Sequence, residues 1–117
     1  MNLSLQTKTP MTSNQLKSVW VIVCTDHTDS SDDTDCEVFA SYDAAIAETV
    51  DWVGQRIDAL HFPHPDNWRE LVTAKLRDQQ CVVVFNTDED DFLTGVNHIN
   101  PEFIIWQLEL RTINYES

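Results

Sequence analysis

Ten carboxylates of this chain fall in two dense tracts, and crowded carboxylates can either hold a cation or meet a basic surface. The first tract is residues 26–37, with Asp26, Asp29, Asp32, Asp33, Asp35 and Glu37; the second is Asp88, Glu89, Asp90 and Asp91. Laid on the twelve-residue calcium loop, Asp26 takes the first place, Asp32 the seventh and Glu37 the twelfth. Thr28 and Ser30 then stand where acidic or amide ligands belong, and Ser31 where a glycine must make the sharp turn. A solvated acidic hairpin tip is the better reading. Cys24, His27 and Cys36 are donors that suit zinc, but no fourth ligand and no paired C-x-x-C element accompany them. His61 and His64 have metal-like spacing, yet Pro63 and Pro65 make that stretch a helix-ending turn, and His98 stands in a loop with no evident partner. The expectation is therefore no metal and no cofactor.

Catalysis finds little support. Gly54 and Gly95 are the only glycines, so neither common phosphate-cradling loop can be built. No nucleophile-elbow motif is present, and acids this abundant pair by chance. A non-enzymatic protein is expected.

The charge itself speaks about partners. Seven Lys and Arg face twenty Asp and Glu, for a net charge of −13. Between residues 18 and 55 there are nine acids and no base, and between 78 and 110 seven more and again no base. Such a field repels nucleic acid and anionic membrane and attracts basic surfaces. In an extended segment, alternate residues share a face about 6.5–7 Å apart, and DNA carries a phosphate about every 3.4 Å along each strand. Asp33, Asp35 and Glu37 alternate in this way, as do Asp88 and Asp90. An array of this kind competes with phosphates for Lys and Arg, and Phe39, Tyr42, Phe85 and Phe92 stand near enough in sequence to add an apolar anchor.

The elements that must position these acids follow from hydrophobic period. Residues 19–25 form a β-branched run apolar on both faces, suited to a central strand. Residues 36–40 form a second strand, which makes the first acidic tract the tip of a hairpin. Ser41 is a helix N-cap with Asp43 in the first turn. Ile46, Val50, Val53, Ile57 and Leu60 recur at steps of four and three, one apolar stripe of a helix. Gly54 inside that helix marks a close approach to a neighbour. A second helix starts near Asp66 with Trp68, Leu71, Val72 and Leu76 as its apolar face. Residues 81–85 form a buried strand, and 86–95 a second acidic loop or short helical turn. Residues 104–113 alternate, with Ile104, Trp106, Leu108 and Leu110 on one face and Gln107, Glu109 and Arg111 on the other.

The order β-β-α-α-β-β predicts an α+β fold: a mostly antiparallel sheet of about four strands with two helices packed on one face. Residues 1–17 are expected to be a flexible N-terminal arm and 18–117 a single domain. Three cysteines without an apolar leader argue for reduced thiols and a cytoplasmic protein.

Small size, an acidic pI and the tracts at 26–37 and 88–91 together resemble the inhibitors carried by phages and mobile elements, the anti-CRISPR and anti-restriction proteins of the DNA-mimic type. The resemblance lies in overall character and carries over no residue roles. It implies an inhibitor in the host-cell cytoplasm that binds a basic nucleic-acid-binding protein or defence complex, with no direct nucleic acid or membrane contact; the charge reading makes the ten carboxylates its expected partner surface. Bacterial immunity proteins and antitoxins, small acidic partners of basic nucleases, are similar in the same way, and a calcium- or zinc-binding protein is the alternative from another class.

Overall fold

β-branched and aromatic residues dominate the strands, while the stripes at three- and four-residue steps dominate the helices, and each forms where its period predicts. The computed structural model describes residues 16–28, 34–96 and 98–114. Residues 1–15 of the expected arm lie outside them, as do Asp29, Asp32 and Asp33 of the first acidic tract. The elements run β1 (Leu16–His27), β2 (Thr34–Phe39), α1 (Tyr42–Leu60), α2 (Trp68–Gln79), β3 (Cys81–Phe85) and β4 (Phe103–Asn114). They form an α+β fold: an antiparallel four-stranded sheet in the order β2-β1-β4-β3, with both helices on one face. β1 starts at Leu16, so the central strand is longer than its unbroken apolar run. The added residues pair Leu16 through Ser18 with Asn114 through Thr112 of β4.

Directly opposed residues of antiparallel strands point the same way, so the register sorts the sheet into two faces. Ile22 and Cys24 of β1, Ile104, Trp106 and Leu108 of β4, and Val82 and Val84 of β3 face the helices and are buried. Ala45, Ile46, Val50, Val53 and Ile57 of α1, with Val72 and Leu76 of α2, close over them. Two residues expected in the core are not. Leu110 shares the face of Leu108 but is 58% exposed, and Leu71 on α2 is 38% exposed. Leu110 lies on the long β1–β4 ladder beyond buried Leu108, and Leu71 lines the outer flank of α2 instead of its sheet-facing stripe.

Local chemistry fixes the helix ends. The Ser41 hydroxyl accepts a hydrogen bond from the Ala44 N–H at 3.1 Å, as an N-cap should. α1 stops at His61, whose backbone is left-handed (φ 58°), and the Phe62 N–H returns to the Ile57 carbonyl at 3.0 Å. Gly54 sits against α2: a Cβ there would stand 2.9 Å from the Trp68 ring. Gly95 has φ +63°, and a Cβ on it would come within 2.7 Å of the Phe85 ring, so the β3–β4 loop needs glycine twice over.

Candidate acidic interface

β1 and β3 both run toward the end of the sheet where β4 begins, because Phe103 pairs with His27 on one side and with Phe85 on the other. The described flanks of the first acidic tract, at Asp26 and Asp35, and the β3–β4 loop with the second tract therefore share that end. The turn between the helices joins them: the His64 ring lies 6.1 Å from that of Phe92. Lys17, Arg77 and Arg111 lie at the opposite end, near the start of β1, the end of α2 and the far part of β4. Arg77 and Arg111 are ion-paired there with Asp43 and Glu109, while Arg56 stands at the acidic end on Asp26.

The sequence-predicted acids play different parts. Asp26, expected on the surface, is buried at 6% exposure and ion-paired with Arg56 of α1. It also accepts the Thr28 N–H at 3.1 Å, which holds the start of the hairpin tip. A buried carboxylate without a cation would cost several kcal/mol, so this acid serves the fold. Asp91 is also buried, at 8%. Its N–H donates to Asp88 Oδ1 at 2.9 Å, and its carbonyl accepts from Gly95 at 2.8 Å, so the second tract is a capped turn. Asp88 and Asp90 are consequently not in extended backbone, and the alternate-face spacing expected of them does not hold. Asp88, Glu89 and Asp90 are exposed. His98, expected to have no partner, lies with its Nε2 3.6 Å from both Asp88 Oδ2 and Asp91 Oδ2. The three donor groups lie within 4.8 Å of one another, an Asp–Asp–His grouping of the kind that can receive a cation.

Asp35 and Glu37 do share a face, as alternation predicts. They oppose Cys24 and Ile22 and so point to the helix side of the sheet, although β2 is the edge strand and lies outside the helices' cover. There they meet α1. Asp35, Cys36, Glu37, Glu48, Trp52 and Gln55 line a cleft of about 290 Å³ between strand and helix. Glu48, Trp52 and Gln55 stand on successive turns of one flank, by the three- and four-residue steps of a helix. Trp52 is half-buried, its ring set edge-on to Trp106 at 6.5 Å. Among the described residues no lysine or arginine lines this cleft. Glu48 and Trp52 were not among the expected site residues: only their phase relative to the buried stripe marks them, and that phase does not say that β2 is the neighbour.

The donors considered for zinc separate. Cys24 faces the helices and is buried, whereas Cys36 opposes Val23 on the other face and is exposed. His27 also points away from Cys24, stacking on Phe103 at 4.7 Å. Burial pushes the Cys24 thiol up to about 12, with the Asp26 carboxylate adding to the shift, so it stays protonated and inert. Of the aromatics expected as anchors, Phe92 is core at 1% exposure, and Phe39 and Tyr42 pack on the core. Besides Leu71 and Leu110, the exposed large apolar side chains among the described residues are Val38 at 60%, Val96 at 57% and Ile99 at 92%. No helix is long and apolar enough to cross a membrane among the described residues. The chain matches no protein-family model, no curated protein and no solved structure.

Proposed function

We propose that this protein is a non-enzymatic inhibitor that captures the nucleic-acid-binding surface of a basic protein, with a defence complex as its target class. Exposed carboxylates stand in for phosphates in this reading. The observation that carries it is that the described acids of both tracts lie toward one end of the sheet, while Arg77 and Arg111 toward the other are tied to Asp43 and Glu109. A one-sided field steers a basic partner onto that end and presents carboxylates to its Lys and Arg, while the distant bases leave the approach unopposed. Capture of this kind weakens steeply with salt.

The test is capture by the immobilised protein at about 50 mM and about 500 mM salt, followed by a DNA- or RNA-binding assay on what is retained. The expected partner binds nucleic acid, loses that binding in the complex, and is held far better at low salt. A variant carrying Asp35→Asn, Glu37→Gln, Asp88→Asn, Glu89→Gln and Asp90→Asn should fold normally and lose the partner. Undiminished capture by that variant sinks the proposal. A captured nuclease whose cleavage is blocked would identify the immunity-protein form of the same activity.

A further inference from the structure

We infer that the β2 edge and the β2–α1 cleft form a receptor for an extended basic segment of the partner, which adds to the sheet as a fifth strand. This deepens the proposed function and rests on it, because it names the chemistry of the segment captured.

The backbone supplies the first argument. Leu108 donates its N–H to Gln80 and Asn86 donates to Glu102, each at 2.8 Å, which fixes the hydrogen-bonding phase of the β3–β4 ladder. Carried across the continuous register, that phase points the odd-numbered residues of β4 at β1, the even-numbered residues of β1 at β2, and Asp35, Glu37 and Phe39 of β2 at β1. Cys36 and Val38 therefore turn their N–H and C=O groups outward, along an edge that has no neighbouring strand among the described residues. Edge groups of this kind are the template used in strand addition.

Side chains supply the second argument, and they specify the occupant. A strand paired with β2 places alternate residues on alternate faces. On the helix face its side chains meet Asp35, Glu37 and Glu48, with Trp52 as the aromatic wall. Among the described residues no ion pair engages these three acids, whereas every arginine of the chain is committed elsewhere: Arg56 to Asp26, Arg69 to Asp51, Arg77 to Asp43 and Arg111 to Glu109. Among the described residues these acids have no cation beside them, which suits them to a cation brought by a partner, and an arginine or lysine beside an indole gains a cation–π contact as well. On the other face the same strand meets Val38, 60% exposed, and Cys36. The fitting segment alternates basic and apolar residues.

The probe is the capped hexapeptide Arg-Val-Arg-Val-Arg-Val, titrated while backbone amide NMR and amide hydrogen exchange are followed. Shifts should concentrate on β2, Glu48, Trp52 and Gln55, and the Cys36 and Val38 amides should exchange more slowly. The block isomer Arg-Arg-Arg-Val-Val-Val should bind about tenfold more weakly. N-methylation of the alternating peptide's pairing amides, which keeps its charge, should cost about tenfold or more, as should Glu37→Gln with Glu48→Gln in the protein. Equal affinity for the block isomer, or indifference to N-methylation, overturns the inference. If the peptide leaves β2 unperturbed while basic proteins are still captured through Asp88, Glu89 and Asp90, the strand receptor is overturned and the proposed function stands. If the peptide docks on β2 but no nucleic-acid-binding protein is captured, the receptor stands and the proposed function falls.

Discussion

The two flanks of α1 carry similar acids and treat them in opposite ways. On the flank toward α2, Asp51 faces Arg69 at 3.1 Å and Asp43 faces Arg77 at 3.4 Å. The arginines are themselves seated, with Arg69 4.8 Å from the Trp68 ring and Arg77 5.6 Å from that of Tyr42. On the flank toward β2, Glu48 faces Asp35 and Glu37 across a cleft lined by no base among the described residues. Only Asp26, which is buried, receives Arg56 there. Buried Asp26 and exposed Asp43 and Asp51 alike have an arginine beside them, whereas among the described residues Asp35, Glu37 and Glu48 have none. The first flank is neutralised internally, and the second is left with unspent attraction for a cation.

The comparison makes graded predictions. The largest effect belongs to the buried pair. Asp26→Asn leaves the Arg56 guanidinium without its counter-ion and should cost about 2–3 kcal/mol, discounted from a fully buried pair because Arg56 is 30% exposed; urea unfolding measures it. A loss below about 0.5 kcal/mol would mean that the buried pair does not hold the fold together. Gly54→Ala comes next. The substitution gains about 1 kcal/mol of helix propensity but drives a methyl to 2.9 Å from Trp68, so net destabilisation by about 1 kcal/mol is expected from the same measurement.

Third is a pH dependence. Cys24 titrates at an ordinary 9.0 when unfolded and at about 12 when folded. Above pH 9 the unfolded chain releases this proton and the folded chain keeps it, so stability should fall from pH 9 upward through about 12. Cys24→Ala should remove that slope, and thiol labelling at pH 8 should modify Cys36 while sparing Cys24. Smaller still, Arg69→Gln or Arg77→Gln should each cost about 0–0.5 kcal/mol, since both pairs are exposed. Smallest is Glu48→Gln with Glu37→Gln, expected within about 0.5 kcal/mol of the parent and slightly stabilising, because it relieves like-charge repulsion. A clear destabilisation by that pair would make the β2 flank part of the scaffold and erase the contrast.

Much of the scaffold was legible because its signals are local. Ser41 caps α1 because a side-chain oxygen within three residues of the Ala44 N–H needs no knowledge of the rest of the chain. Ile46, Val50, Val53 and Ile57 are buried as their spacing requires, and Gly54 lies against a bulky neighbour as a glycine inside a helix implies. The acids were harder, since one residue type serves three purposes. Asp26 and Asp35 look alike in the sequence, and only the arrival of Arg56 from the next element separates a structural ion pair from an exposed carboxylate. His98 gained its two aspartates because the β3–β4 loop folds back on itself.

By itself, then, the sequence determined the periods, the caps, the α+β order of elements and the excess and clustering of negative charge, all of which depend on residues near one another along the chain. The tertiary structure decided the rest. It inserted β4 between β1 and β3, which brings Asp26 and Asp35 to the same end as the β3–β4 loop, and it left β2 as an edge whose acids face Glu48 and Trp52. The physical reason is that pairing order and burial are settled by the sum of many distant contacts. A carboxylate's role follows from what that sum places beside it.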